Sequence, residues 1–262
     1  MPKLFAILPC YNESLNIVDL IGEWLEQADK LQTEGYTLQV VGIDDCSTDE
    51  TKRRILEQCA QHDNVQLVAH EINKGLCGGL NTAISYFLEH GDAKDLMVLM
   101  DGDNTHNPSY IHAMLEKLKT GKDCVIASRY CEESSIVGVA RHREFMSDMA
   151  KHYYSLVLRV PGVKDYTCGY RVYTYPSIQK LVAGFGKDPI KEKSFACMME
   201  FLYKLYLTGA LFGEVGFGLR YDNKKGDSKM RVFKTMRSSL TSAIKLRRIK
   251  MGGDDHASNT AL

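Results

Sequence analysis

Two aspartates separated by a single glycine, Asp101 and Asp103, form the pattern with the clearest chemistry in this sequence. They follow an apolar run, and Gly102 allows the backbone to turn sharply enough for both carboxylates to point at one place. Mg²⁺ and Mn²⁺ bind carboxylate oxygens and take further ligands from phosphate groups. The pair therefore predicts a Mg²⁺ or Mn²⁺ site that holds a diphosphate. The alternative is that both aspartates only stabilise the turn before Pro108.

A second acidic pair, Asp44 and Asp45, also follows an apolar run. Acidic residues at such strand ends accept hydrogen bonds from ribose hydroxyls in other nucleotide-binding folds. The same stretch contains Asp49 and is typical of a cap for a helix that starts near Thr51. Both roles stay open, because one aspartate can cap the helix while its neighbour binds a ligand.

The first apolar run ends in a turn that contains Pro9, Tyr11 and Glu13. This turn offers a rigid aromatic face for a nucleobase and a carboxylate for the donors of that base. Capping of the following helix by Asn12 and Glu13 explains the same residues equally well.

The elements that must position these residues alternate along the first 130 residues. Short apolar runs predict strands at 4–8, 38–44, 65–69, 96–100 and 124–127, and helical spacing of apolar residues predicts helices at 15–31, 51–61, 80–88 and 110–118. This order predicts an α/β fold with a mainly parallel central sheet and helices on both faces. Ligands bind outside the carboxyl ends of such strands, so the polar residues that follow the five runs predict one pocket. They include Lys74 in Asn73-Lys74-Gly75 and Arg129 in Ser128-Arg129-Tyr130.

The composition limits the classes of partner. Thirty-three basic residues balance thirty-three acidic ones, which argues against a nucleic-acid-binding protein. Eight cysteines are scattered without metal-site or disulfide spacing, which is typical of a reducing, cytoplasmic setting. No apolar run approaches the roughly 18 residues of a membrane span. We expect a cytoplasmic protein that at most lies on the inner face of a membrane.

The motifs taken in order resemble those of the family 2 glycosyltransferases, and within that family those of the dolichyl- or polyprenyl-phosphate mannosyltransferases. The similarity covers about residues 4–230. It rests on Pro9-x-Tyr11-Asn12-Glu13, Asp44-Asp45-x-Ser47-Thr48-Asp49, Asp101-x-Asp103, Ser128-Arg129-Tyr130, Asp165-x-x-x-Gly169-x-Arg171 and Gly226-x-Ser228-Lys229. The resemblance implies a GT-A fold in residues 1–230, a GDP- or UDP-linked sugar donor, a divalent metal, and inversion at the anomeric carbon.

The resemblance also implies a role for each matching residue. The nucleoside is expected near Pro9, Tyr11, Glu13 and Asp44 or Asp45, with Lys74 also on the donor side. The metal and diphosphate are expected at Asp101 and Asp103. The phosphate charges are expected to be bound by Arg129, Arg171, Ser228 and Lys229. Two positions depart from the branch. Thr105 stands where a glutamine is common, which leaves a third protein ligand to the metal open. Asn223 stands where an arginine is usual, and neither Lys224 nor Lys225 offers the bidentate fork of an arginine.

The acceptor class follows from the chemistry of the nucleophile. A hydroxyl acceptor needs a carboxylate base, for which Asp165 is the first candidate and Glu200 the second, whereas a phosphate acceptor is already ionised at neutral pH. Because the motifs supply cations more clearly than a base, we expect a polyprenyl phosphate acceptor. Transfer of a hexose to a hydroxyl of a lipid, glycan or small metabolite is the alternative, and a non-catalytic nucleotide-sugar-binding subunit is the alternative of another class.

The chain is expected to divide into a donor half, about 1–130, and an acceptor half, about 131–230. Residues 231–250 carry basic residues at helical spacing without an acidic one, and residues 251–262 are small and polar, which predicts a disordered tail. The stretch 229–250 suits an amphipathic helix on anionic lipid, and equally a helix packed on the domain with a solvated basic face.

Overall fold

A computed structural model describes residues 1–132, 134–137, 141–220 and 240–249. Its centre is a seven-stranded sheet with the strand order β3-β2-β1-β4-β7-β5-β8, and β6 and β9 pair separately. The strands are β1 (Lys3–Cys10), β2 (Thr37–Asp44), β3 (Val65–Ala69), β4 (Leu96–Leu99), β5 (Cys124–Ser128), β6 (Ser135–Val137), β7 (Arg171–Thr174), β8 (Phe212–Gly216) and β9 (Gly218–Arg220).

Helices cover both faces of the sheet. They are α1 (Ile17–Leu25), α2 (Ala28–Thr33), α3 (Thr51–Gln61), α4 (Gly75–His90), α5 (Ile111–Leu118), α6 (Arg141–Leu158), α7 (Tyr175–Phe185) and α8 (Cys197–Leu207), with one 3₁₀ turn at Pro108–Tyr110. One layer contains α1, which packs against α3; the other contains α4, which packs against α7, and α7 in turn against α8. The predicted α/β fold is confirmed.

Parallel pairing aligns the carboxyl ends of the strands. In register, Cys10 pairs with Asp44 and Asp44 with Ala69. The hydrogen bonds continue past the strand ends, because the Asp45 amide donates to Cys10 O over 2.9 Å and the His70 amide to Asp44 O over 2.9 Å. The polar residues that follow these strands therefore meet at one edge of the sheet, as the alternation predicts.

Burial explains why the central strands are apolar throughout. Every residue of β4 and of β5 is buried. A strand covered by helices on both faces has no solvent side, so it needs apolar or small residues at successive positions rather than at alternate ones. The polar residues that follow each strand therefore begin where the helices no longer cover the sheet.

The second half of the chain departs from the sequence prediction. The turn-rich stretch 165–171 leads directly into β7, which runs antiparallel between β4 and β5. Strand β7 has only four residues and begins with the charged Arg171, so it lacks the apolar run that marks the other strands. Further along the chain, β8 and β9 are separated only by Phe217.

The described part of the basic C-terminal stretch packs on the domain. Residues 240–246 are helical, and Ala243 and Leu246 are buried. The Tyr153 hydroxyl donates to Leu240 O over 2.9 Å, and the Arg247 guanidinium donates to Leu158 O over 3.3 Å. The remainder of the predicted helix and the predicted disordered tail lie outside the described residues, as do Ser228 and Lys229. In the described part of the chain, no helix combines the length and apolar character needed to cross a membrane.

Candidate active site

Four acidic side chains from three loops surround one buried thiol at the carboxyl edge of the sheet. Burial raises the pKa of Cys10 well above its usual value, and the negative charges of Glu13, Asp44, Asp101 and Asp103 raise it further. Each of these carboxylates is therefore close enough to the Cys10 sulfur for its charge to act there. The fold thus brings together the acidic residues that the sequence analysis placed at separate strand ends.

Two glycines allow the Asp101 loop to approach its neighbours closely. A Cβ atom at Gly102 would lie 2.7 Å from Cys10 Sγ and 3.2 Å from Pro9 O. A Cβ atom at Gly169 would lie 2.7 Å from Asp101 Oδ1 and 2.8 Å from Oδ2. Any side chain at either position would displace the loop or its carboxylate, so the position of Asp101 depends on both glycines.

Asp103 is held by the residues that follow it. Its Oδ1 accepts hydrogen bonds from the Thr105 amide over 3.2 Å and from the Thr105 hydroxyl over 2.7 Å. The hydroxyl also lies 3.1 Å from Nδ1 of His106, whose Nε2 lies 3.5 Å from Cys168 Sγ. Burial lowers the pKa of His106 to about 4, so the ring is neutral at pH 7, and it stacks on Phe217.

The Asp101 and Asp103 carboxylates fit a hard divalent cation that shares its coordination with a ligand. Among the described residues, no group of three or more His, Cys, Asp or Glu side chains is arranged to hold a metal ion. Mg²⁺ characteristically binds through one or two carboxylates plus substrate phosphates instead of a complete protein cage. The donor set of two carboxylates at an open edge matches that mode. Thr105, at the position of the expected glutamine, binds Asp103 through its hydroxyl.

Asp44 presents a buried acceptor towards the same edge. The residue is 1% exposed, and its Oδ2 accepts a hydrogen bond from the Ser47 amide over 3.3 Å. Its Oδ1 has no hydrogen-bond partner among the described residues. Buried carboxylate oxygens are almost always hydrogen-bonded, so this oxygen can accept a donor from a water or a ligand. Tyr11, with 41% of its surface exposed, stands at the end of the neighbouring strand.

Asp45 has a structural role at the start of α4, and its expected contact with a nucleoside stays a prediction. Its Oδ1 accepts hydrogen bonds from the Lys74 amide over 2.8 Å and lies 2.7 Å from His70 Nδ1, and its Oδ2 accepts from the Gly75 amide over 2.8 Å. Asp45 therefore satisfies the first amides of α4, which helix starts require. The predicted cap near Thr51 is made by Asp49, which accepts from the Thr51 amide over 2.9 Å.

Asp165 is an ion-pair partner of Arg129, and its role as a general base stays an untested prediction. Arg129 Nε donates to Oδ2 over 2.8 Å and Arg129 Nη2 to Oδ1 over 2.7 Å, and the amides of Thr167 and Cys168 also donate to this carboxylate. Asp165 is fully buried, and the Arg129 charge together with these hydrogen bonds lowers its pKa to about 2 against the effect of burial. A carboxylate stabilised to this extent is a poor proton acceptor.

Arg171 and Glu200 are also engaged within the fold. Arg171 is fully buried, and its guanidinium donates to the carbonyl oxygens of Cys168, Tyr166 and Met198 over 2.8–2.9 Å. Glu200 accepts from two backbone amides and pairs with Lys204 over 2.7 Å. Both residues therefore have structural partners, and their expected roles in the reaction stay predictions.

The sequence profile of Glycosyl transferase family 2 matches residues 5–182, more than half of the chain. The protein is a family 2 glycosyltransferase.

Curated relatives of this glycosyltransferase include a dolichol-phosphate mannosyltransferase of Pyrococcus furiosus, which is 27% identical over 87% of this chain. The match covers 59% of that relative's length. An undecaprenyl-phosphate mannosyltransferase of Micrococcus luteus is 25% identical, and the match covers 87% of each chain.

Solved structures give the fold of this glycosyltransferase as GT-A. A glucosyl-3-phosphoglycerate synthase from Mycobacterium tuberculosis, in complex with Mn²⁺, UDP and glucosyl-3-phosphoglycerate, matches with a TM-score of 0.67 at 15% identity, covering 96% of this chain and 82% of its own. A mannosyl-3-phosphoglycerate synthase from Rubrobacter xylanophilus matches with a TM-score of 0.59 at 18% identity, covering 94% of this chain and 74% of its own.

The other predicted site residues of this glycosyltransferase lie around the acidic cluster. Pro9 lies one residue before the end of β1 and close to Gly79. Glu13 accepts a hydrogen bond from Asn16 over 2.8 Å, and the exposed Lys74 precedes α4. Sequence analysis did not place Cys10 or Cys168 at the site. No polar motif marks the Cys10 thiol apart from the turn in which it lies. The close approach of Gly169 to Asp101 gives the glycine of Asp165-x-x-x-Gly169 a physical reason.

Replacing Arg171 by lysine in this glycosyltransferase is expected to lower the free energy of unfolding by about 3 kcal/mol, because one ammonium cannot reach three carbonyl oxygens in a buried site. Urea denaturation followed by circular dichroism measures the change. Arg248→Lys, at an exposed position, is the matched control. Unchanged stability of Arg171→Lys together with weaker donor binding would support the phosphate-binding role.

Proposed function

We propose that this glycosyltransferase moves a hexose from a GDP- or UDP-linked donor to a polyprenyl phosphate, with inversion at the anomeric carbon. The observation that carries the proposal is the acidic edge, where the charges of Asp44, Asp101 and Asp103 all act on Cys10 and Oδ1 of Asp44 has no hydrogen-bond partner among the described residues. A nucleoside diphosphate needs both features: a hydrogen-bond acceptor for its hydroxyls, and carboxylates that bind a cation next to its phosphates.

In the proposed complex the nucleoside lies against Tyr11 and donates a hydroxyl hydrogen bond to Asp44. The diphosphate lies at Asp101 and Asp103. A bound Mg²⁺ or Mn²⁺ would supply positive charge to the departing diphosphate. The Mycobacterium structure contains Mn²⁺. Lys74, exposed at the start of α4, and Ser228 and Lys229, outside the described residues, are proposed to contact phosphate oxygens.

The proposed reaction is a single displacement. An oxygen of the acceptor phosphate attacks the anomeric carbon, and the bond from that carbon to the diphosphate oxygen breaks. The electron pair of this bond remains on the departing nucleoside diphosphate. No proton has to be removed from an ionised phosphate, so the reaction needs no carboxylate base.

The state of the two base candidates supports a phosphate acceptor over a hydroxyl. Asp165 is paired with Arg129, and Glu200 is paired with Lys204. To act as the base for a hydroxyl acceptor, either residue would have to leave a buried ion pair, which costs several kcal/mol. The names of the Pyrococcus and Micrococcus relatives, both lipid-phosphate mannosyltransferases, agree with this acceptor class.

A lipid acceptor also implies contact with a membrane surface. The C-terminal helical segment at 240–246 exposes Ile244, which is 48% accessible, beside the exposed Lys245. An apolar side chain flanked by cations suits a peripheral contact with anionic lipid. We propose that this face approaches the membrane while Ala243 and Leu246 hold the helix on the domain.

The acceptor is tested by a pair of substrates that differ in one group. The protein is incubated with Mn²⁺, a radiolabelled sugar donor and either undecaprenyl phosphate or undecaprenol. Label is expected in the organic phase with the phosphate, at a rate at least about 100-fold above that with the alcohol, since a neutral hydroxyl lacks a general base. Equal transfer to both lipids would contradict the proposed acceptor.

A further inference from the structure

The stretch from Asp165 to Arg171, here called the 165–171 loop, lies against one carboxylate of the proposed metal site and is linked to the other through side chains. Gly169 lies directly against the Asp101 carboxylate. Cys168 reaches Asp103 through two intermediate side chains, His106 and Thr105. We propose that the 165–171 loop positions both aspartates for the cation, with Gly169 and Thr105 as the positioning residues. This inference rests on the proposed function, because it assigns the support of the same site.

The loop is built to be rigid. The Asp165 carboxylate at its start accepts hydrogen bonds from the Arg129 side chain and from the Thr167 and Cys168 amides. The Arg171 guanidinium at its end donates to the Cys168 and Tyr166 carbonyl oxygens. Two buried charged groups thus fix the backbone on both sides of Cys168 and Gly169, and a support must be rigid to hold another group.

The contact between Gly169 and Asp101 is steric. A Cβ atom at position 169 would stand 2.7 Å from one carboxylate oxygen and 2.9 Å from the carboxyl carbon of Asp101. The backbone of the loop is held from both ends, so the carboxylate is the group that moves. A methyl group at position 169 therefore rotates Asp101 away from its place without opening the core.

The contact with Asp103 is a chain of hydrogen bonds with one consistent direction. An ionised carboxylate only accepts, so the Thr105 hydroxyl donates its single proton to Asp103 over 2.7 Å. That hydroxyl must then accept from Nδ1–H of His106 over 3.1 Å, which leaves Nε2 to accept from the Cys168 thiol over 3.5 Å. All three side chains are buried, so water does not compete for these donors. The chain fixes the orientation of the Asp103 carboxylate as outer-shell partners do at metal sites.

Thr105 allows a matched pair of variants, because serine keeps the hydroxyl and valine keeps the shape. Titration calorimetry measures the dissociation constant of Mn²⁺ in the presence of UDP and, separately, GDP. Thr105→Val is expected to weaken Mn²⁺ binding by about 10-fold and Gly169→Ala by about 10- to 100-fold, the range for lost outer-shell support. Thr105→Ser should stay within about 2-fold of the unmodified protein by the same argument, since it retains the donor.

Gly22→Ala is the control for Gly169→Ala, because a Cβ atom at Gly22 meets nothing within 4 Å. It should leave Mn²⁺ affinity unchanged and, because alanine is the better helix former, should not lower the melting temperature. If Gly169→Ala fails to fold, the Thr105 pair still decides. Equal Mn²⁺ affinity in Thr105→Val, Thr105→Ser and the unmodified protein would overturn the inference and leave the proposed function intact. If the unmodified protein binds no Mn²⁺ with either nucleotide, the proposed function falls and the inference with it.

Discussion

Replacing Asp103 by alanine is expected to abolish metal-dependent donor binding and to reduce sugar transfer by about 10³-fold or more. The reason is that the cation and its carboxylates stabilise the charge on the leaving diphosphate by several kcal/mol, and each 1.36 kcal/mol corresponds to a factor of ten in rate. Asp103 lies in a loop and is only partly buried, so the melting temperature should be unchanged.

Calorimetric titration with the sugar donor, in Mn²⁺ and in chelator, checks this expectation alongside a transfer assay. Asp29→Ala is the matched control, because Asp29 is an exposed aspartate in α2. Helix α2 packs on β2 and leads into the amino-terminal end of that strand, whereas Asp103 lies at the carboxyl edge of the sheet. Asp103→Ala should bind donor in Mn²⁺ no better than the unmodified protein does in chelator. Full Mn²⁺-dependent donor affinity in Asp103→Ala would remove this residue from the metal site.

Replacing Asp165 by alanine is expected to lower the free energy of unfolding by about 3–5 kcal/mol, because it leaves the Arg129 charge largely buried without its partner. The Arg129 side chain is 20% exposed and that of Asp165 fully buried. Urea denaturation measures the loss. The double variant Arg129→Met with Asp165→Leu should recover part of it, since a buried ion pair can be exchanged for apolar groups at little cost. A loss below about 1 kcal/mol in Asp165→Ala, the range of exposed pairs, would contradict this account.

The stability difference between the unmodified protein and Asp165→Ala should also depend on pH. The Arg129 charge and the backbone donors lower the pKa of Asp165 from 3.8 to about 2 in the folded state. A lowered pKa stabilises the folded protein above the unfolded value, so this contribution of about 2 kcal/mol is complete above about pH 5. It is lost as the pH falls from about 4 through about 2. Denaturation curves for both proteins between pH 7 and pH 3 measure it, and a constant difference would contradict the ionised, paired state.

The fold of the first 130 residues was predictable because their strands carry continuous apolar runs. Strand β3 and helix α3 have the predicted bounds. Strand β7 was not predictable in the same way, because its four residues begin with a buried arginine whose partners are backbone carbonyls. Burial of a charge by backbone oxygens leaves no periodic signal in the sequence.

The acidic edge was predictable as a group, and the roles of its members were not. Sequence analysis left Asp44 and Asp45 equivalent, whereas the start of α4, 29 residues further along the chain, occupies Asp45 and not Asp44. Asp165 and Arg129 are 36 residues apart, and either could meet a ligand until the fold pairs them. A motif shows that a charged residue needs a partner, and only the tertiary structure shows whether that partner is a ligand or another side chain.

The central claim is tested most directly by calorimetric titration of the protein with GDP-mannose, UDP-glucose and UDP-N-acetylglucosamine, each in Mn²⁺ and each in chelator. The account predicts that one donor binds, and that chelation weakens its binding by at least about 10-fold, because the diphosphate then faces the Asp101 and Asp103 carboxylates without a cation between them. Binding of none of the three, or binding that is equally tight in chelator, would contradict a metal-dependent sugar-donor site at this edge of the sheet.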